Sequence, residues 1–110
     1  PEHTHVPGVT VSAKGSVSRP PMEPDERTLQ LWQFFKSEAA KMGLEIDYIA
    51  TGGCSDGNFT ASLGVPTIDA MGVRGGGAHS LDEYIDLDSI VPNVHLMCEI
   101  VKGFADGRIS

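Results

Sequence analysis

The stretch DERTLQLWQFFKSEAAKMGLEIDYIATGG, residues 25–53, decides the fold class because its hydrophobic period changes once, at Gly43. Before that glycine, Trp32, Phe35, Ala39 and Met42 fall on one helical stripe, which Leu31 and Phe34 widen. After it, Leu44, Ile46 and Tyr48 alternate with Glu45 and Asp47, the two-residue period of a strand. Pro24 or Asp25 suits the helix start, where the first amides have no internal acceptor, and Gly43 can close the helix in a left-handed conformation. Gly52-Gly53 then breaks the strand. So wide an apolar helix face needs a sheet or a second helix over it, which predicts an α/β layer.

Toward the C-terminus, Asp56 to Leu63 reads as a short helix closed by Gly64, and Val65 to Ala70 as a buried strand entered through Pro66. A glycine-dominated loop, Gly72 to Gly77, leads to His79, and a brief Tyr84-Ile85-Asp86 stretch follows. Asp88 caps a last helix that tolerates Pro92 in its first turn, with Ile90, Val94, Met97, Cys98, Val101 and Phe104 on its apolar side. Toward the N-terminus, residues 1–24 hold five of the seven prolines, yet Val9, Val11 and Ala13 alternate with Thr10, Ser12 and Lys14. That alternation predicts a half-buried strand over residues 8–17, and a strand must pair with something. The expected order gives three or four strands with helices between them.

The chain of 110 residues amounts to one ordinary domain, 40% hydrophobic. Eight Lys plus Arg against fifteen Asp plus Glu give a formal charge of −7, and no basic cluster interrupts that balance. No nucleic-acid partner is expected, since backbone binding needs clustered cations. No membrane span is expected either, because no apolar run approaches the roughly 18 residues one requires. Cys54 and Cys98 are too few and too far apart for a disulfide scaffold or a C-x-x-C redox site, which favours a reducing compartment, the cytoplasm. Partners are then small molecules, a metal ion or other protein.

Three places can hold chemistry. In Thr51-Gly52-Gly53-Cys54-Ser55-Asp56-Gly57-Asn58-Phe59-Thr60, the amides of Ser55, Asp56 and Gly57 can point at an anion or a substrate carboxylate; the alternative is a plain helix cap. In Gly75-Gly76-Gly77-Ala78-His79-Ser80, successive glycines suit backbone passing close to a ligand, and His79 can give a lone pair to zinc. The alternative there is a loop histidine bonded to backbone. Arg19, stiffened by Pro20-Pro21, can clamp a carboxylate with its fork or make an ordinary surface ion pair. His3 and His5 can chelate a metal or simply belong to a frayed end. Asn58-Phe59-Thr60 matches a glycosylation sequon, placed where modification is not expected. Cys54 or Ser55 with Asp56 and His79 does not make a hydrolase triad by spacing, and no G-x-S-x-G elbow is present.

Taken in order, Ser18-Arg19-Pro20-Pro21-Met22-Glu23-Pro24, the Thr51 to Thr60 turn, Gly64-Val65-Pro66-Thr67 and Gly75 to Ser80 with Asp82-Glu83-Tyr84 resemble the C-terminal part of the M20 metallopeptidases. That family includes glutamate carboxypeptidases, acetylornithine deacetylase and succinyl-diaminopimelate desuccinylase. The resemblance implies a sheet flanked by helices, the C-terminal part of a zinc-peptidase-like catalytic domain over residues 19–110. Residues 1–18 would end an inserted domain used for dimerisation and for closing over substrate. By the same resemblance His79 is a metal ligand, and Arg19, Ser55, Asp56, Gly57, Asn58 and Gly76 bind substrate. No metal role carries over to Asp82 or Glu83. Cys54 departs from the small residue, such as glycine or threonine, usual in that turn.

The family hydrolyses an amide bond with two zinc ions sharing a bridging carboxylate and a water, a glutamate serving as general base. This chain would supply one zinc ligand and no catalytic base. The expected protein is therefore a C-terminal fragment, inactive alone, of a zinc-dependent carboxypeptidase or amidohydrolase. Its expected partners are the remainder of the catalytic domain, a small peptide or N-acyl amino acid as substrate, and a second copy in a homodimer of the full-length protein. The alternative is a non-catalytic binding or structural module that keeps the fold.

Overall fold

The computed structural model describes residues 6–109. Its elements in chain order are helix α1, Glu26–Lys41; helix α2, Gly57–Ser62; strand β1, Gly75–Gly76; strand β2, Tyr84–Ile85; a 3-10 turn, Leu87–Ser89; and helix α3, Ile90–Ala105. It is a small α/β unit with one two-stranded antiparallel sheet, in which Gly75 faces Ile85 and Gly76 faces Tyr84.

Helix α1 forms as its sequence dictates. The Asp25 carboxylate accepts the Thr28 amide at 2.7 Å, satisfying one donor of the first turn, and Gly43 leaves the helix at φ 72°. Trp32, Phe35 and Ala39 of its stripe are buried with Leu96 and Ile100 of α3, and these five side chains are the core. The crossing of the two helices is tight at Gly103, where an added methyl would collide with the Phe34 ring. Beyond α3, Gly107 takes φ 67° and the Arg108 amide donates to the Gly103 carbonyl at 2.8 Å, which turns Arg108 back over α1. There its guanidinium meets Glu38 at 3.1 Å, beside Lys41 at 2.6 Å from the same carboxylate, and lies 5.5 Å from the Phe34 ring centroid. Glu38 is only 5% exposed, so this pairing is what makes its burial tolerable.

The expected strands do not form ladders. Residues 8–17 are exposed and carry no strand. Residues 44–48 keep the predicted alternation, with Leu44 and Ile46 packed on the core and Glu45 and Asp47 outward, and Tyr48 meets Trp32 edge to face at 5.7 Å. No ladder bond joins them to another segment among the described residues. Residues 65–70 carry no strand either, Ala70 taking φ 58°, and they are at most half-buried rather than buried. Alternation places side chains; a ladder also requires a neighbouring backbone at about 4.8 Å, and none lies there among the described residues.

Helix α3 corrects the predicted apolar side. Its buried residues are Leu96, Ile100 and Gly103, while Val94, Met97, Cys98, Val101 and Phe104 are exposed and Ile90 is half-buried. The helix begins at Ile90 with Ser89, not Asp88, at its N-cap and no side-chain cap bond, while Asp86 caps the preceding 3-10 turn, its carboxylate accepting the Asp88 amide at 3.1 Å. Pro92 sits in the first turn, where its missing N–H costs nothing.

Candidate functional site

The turn before α2 is built from its own side chains. The Ser55 amide donates to Asn58 Oδ1 at 2.8 Å, and the Gly57 amide donates to Ser55 Oγ at 3.1 Å. Two of the three amides proposed for an anion are thus engaged within the turn. Asn58 is buried, and its Nδ2 donates to the Pro20 carbonyl at 2.9 Å, joining segments 38 residues apart. Met22 and Thr67 close over Gly57, where a Cβ would stand 3.2 Å from each of them. Thr67 also bonds Thr60 at 2.9 Å, hydroxyl to hydroxyl, tying the 65–70 segment to α2.

This clamp sets Arg19 beside α2. Its guanidinium carbon lies 4.8 Å from the Phe59 ring centroid, and Nη1 lies 3.3 Å from Asp56 Oδ1. Asp56 makes no side-chain cap to α2, so the carboxylate serves Arg19 instead of the helix amides. Arg19 is thus a planar cation seated on an aromatic face, with its backbone pinned through Pro20. Asp69 supports the turn from the far side: a hydrogen bond from Ser55, with the Ala70 amide beside it, holds its carboxyl below the usual carboxylate range.

His79 lies elsewhere, at the tip of the loop between β1 and β2. Its side chain is exposed, its φ is 66°, and its amide donates to Glu83 Oε2 at 3.3 Å. The loop closes through Ser80, whose amide and hydroxyl both donate to the Gly77 carbonyl at 3.0 and 2.7 Å. The glycines before it answer to the hairpin itself. A methyl at Gly75 would strike the Tyr84 carbonyl, one at Gly77 would stand 2.7 Å from the Asp82 carbonyl, and Gly76 lies under the Tyr84 ring. The hairpin is anchored to α3 by Ser89, 1% exposed, which accepts the Arg74 amide at 2.9 Å and donates to the Asp86 carbonyl at 2.6 Å.

Arg19, Ser55, Asp56, Gly57 and Asn58 therefore come together in one cluster, whereas Gly76 and His79 belong to the separate hairpin, and no hydrogen bond or ion pair described links the two. Among the described residues no group of three His, Cys, Asp or Glu side chains is placed to hold a metal ion. His3 and His5 lie outside the described residues. Sequence reading missed two members of the cluster, Phe59 beneath Arg19 and Asp69 on Ser55. Phe59 carried a signal, since it stands three residues after Asp56 and hence on the same face, whereas nothing in the spacing ties Asp69 to residue 55.

The family model for peptidase family M20/M25/M40 matches residues 6–103. No curated protein and no solved structure gives a match.

Proposed function

This chain belongs to peptidase family M20/M25/M40, and we propose that it is the C-terminal part of a hydrolase domain that cleaves an amide bond in a carboxylate-bearing substrate, a small peptide or an N-acyl amino acid. The observation that carries the reading is the Arg19 cluster, in which a bond between Asn58 and the Pro20 carbonyl fixes a guanidinium on the Phe59 face. In this role Arg19 receives the substrate carboxylate, and the Ser55 to Asn58 turn forms the wall that holds it in place.

Zinc takes three or four protein donors, and the described residues present one imidazole at the hairpin tip, so they do not by themselves fit the metal. In the proposed domain His79 is one zinc ligand, and the other ligands and the general base come from outside this chain. Residues 1–18 then end an inserted domain, the site sits in the cytoplasm, and the full-length protein is a homodimer. The segment 44–48, which alternates in burial and joins no sheet among the described residues, supports the same reading, because it offers a strand edge to further backbone.

The test is hydrolysis of N-acetyl-L-glutamate and of glutamyl dipeptides by the protein purified from its natural source. The expected result is chelator-sensitive release of the free amino acid, abolished by His79→Ala and weakened through KM by Arg19→Gln. Carboxylate binding through Arg19 with neither hydrolysis nor bound zinc would replace this reading with a non-catalytic module.

A further inference from the structure

We propose that Asp56 is an internal competitor for Arg19, a carboxylate of the protein's own that a ligand carboxylate must displace, and that Phe59 keeps the guanidinium in place while the exchange occurs. The proposal rests on the reading of Arg19 as a carboxylate receptor and assigns Asp56 a role opposite to that of a ligand-binding group.

The geometry points to a weak, replaceable contact. Asp56 touches Arg19 through one nitrogen and one oxygen at 3.3 Å, not as a two-pronged pair. Its side chain is 94% exposed, while that of Arg19 is 36% exposed, so the carboxylate is held by little besides the cation. It has also given up the usual task of a residue in its position. Asp56 precedes α2 and makes no side-chain hydrogen bond to the helix amides. A carboxylate that caps nothing and stands in solvent can leave without breaking the fold.

Arg19 does not depend on Asp56 for its place. The Phe59 ring lies under the guanidinium at 4.8 Å, and the adjacent Pro20 carbonyl is bonded to buried Asn58 at 2.9 Å. When Asp56 swings away, the cation stays seated and its donors are free for an incoming carboxylate. Two carboxylates cannot both take the same edge of one guanidinium without repelling each other, so the incoming group binds by exchange. An exposed ion pair of this kind is weak, which sets the expected size of the effect at no more than about fivefold in affinity.

The experiment is a titration of the 110-residue chain with glutarate at low ionic strength, read by the NMR signal of the Arg19 side-chain Nε–H. Asp56→Asn keeps the shape and removes the charge, and the expected result is a tighter apparent Kd by up to about fivefold. Phe59→Leu is expected to weaken binding, and Arg19→Gln to abolish it. Asp82→Asn changes the net charge equally at a distance from Arg19 in the hairpin loop and is expected to leave Kd unchanged. If Asp56→Asn binds glutarate equally or more weakly while Arg19→Gln still abolishes binding, the competitor role is overturned and the receptor reading stands. An equal gain from Asp82→Asn also overturns it, as an effect of net charge alone. Binding that is indifferent to Arg19, or no binding in any variant, overturns the receptor reading and this proposal with it.

Discussion

At the scale of single residues, two contacts do more than their neighbours. Gly103 admits the Phe34 ring where any Cβ would collide with it, so Gly103→Ala should cost about 1–3 kcal/mol of stability, read from urea unfolding of the chain. Asp69 has its carboxyl held low, by the Ser55 hydrogen bond first and the Ala70 amide second. A lowered folded value means that the ionised form is preferred in the fold. The stabilisation is therefore present above the ordinary value of 3.8 and lost as pH falls through the lower folded value. Asp69→Asn should flatten the fall in the urea midpoint below that pH, and an unchanged slope would show that the Ser55 bond contributes nothing. Neither contact is legible in the sequence. Gly103 reads as a helix weakness until Phe34 is placed opposite it, and Asp69 reads as an ordinary acid until the chain brings it to residue 55.

At the scale of elements, helices were readable and ladders were not. Helix α1 carries its own start, stripe and stop in Asp25, Trp32 to Ala39 and Gly43, so local information suffices. Helix α3 does not, because it is apolar nearly all round: a stripe through Val94, Met97 and Val101 is as good on periodicity as one through Leu96 and Ile100. The choice was made by α1, whose Phe34 fits Gly103 and whose Glu38 takes Arg108. Arg108→Leu should accordingly loosen the α1 and α3 packing by about 1–2 kcal/mol, less than for a fully buried pair because Arg108 is partly exposed and Lys41 still faces Glu38. A thermal midpoint equal to that of the parent chain would mean that Glu38 is satisfied by Lys41 alone. The cluster around Arg19 was legible as motifs along the chain, and its joining bond from Asn58 to Pro20 was not, since spacing of 38 residues carries no distance.

At the scale of the molecule, surface is the informative quantity. The accessible area is 8747 Å², against about 5,900 Å² for a compact monomer of this mass. The radius of gyration is 19.3 Å, against about 13 Å for a compact domain of this length. Part of that excess is the exposed lead-in before Arg19, and part is apolar: Val91, Val94, Met97 and Val101 on α3, and Ile49 and Val65 outside the helices. Apolar surface of that extent is the kind that further protein covers. Together with membership in peptidase family M20/M25/M40, it is the ground on which we propose a half-site, with Arg19 to receive a carboxylate and His79 to meet a metal, completed by other residues. The most direct test is the intact mass and zinc content of the protein purified natively from its source. The account predicts a chain several times longer than these 110 residues carrying about two zinc ions, with zinc lost in His79→Ala. A stable, zinc-free species of only 110 residues would contradict it.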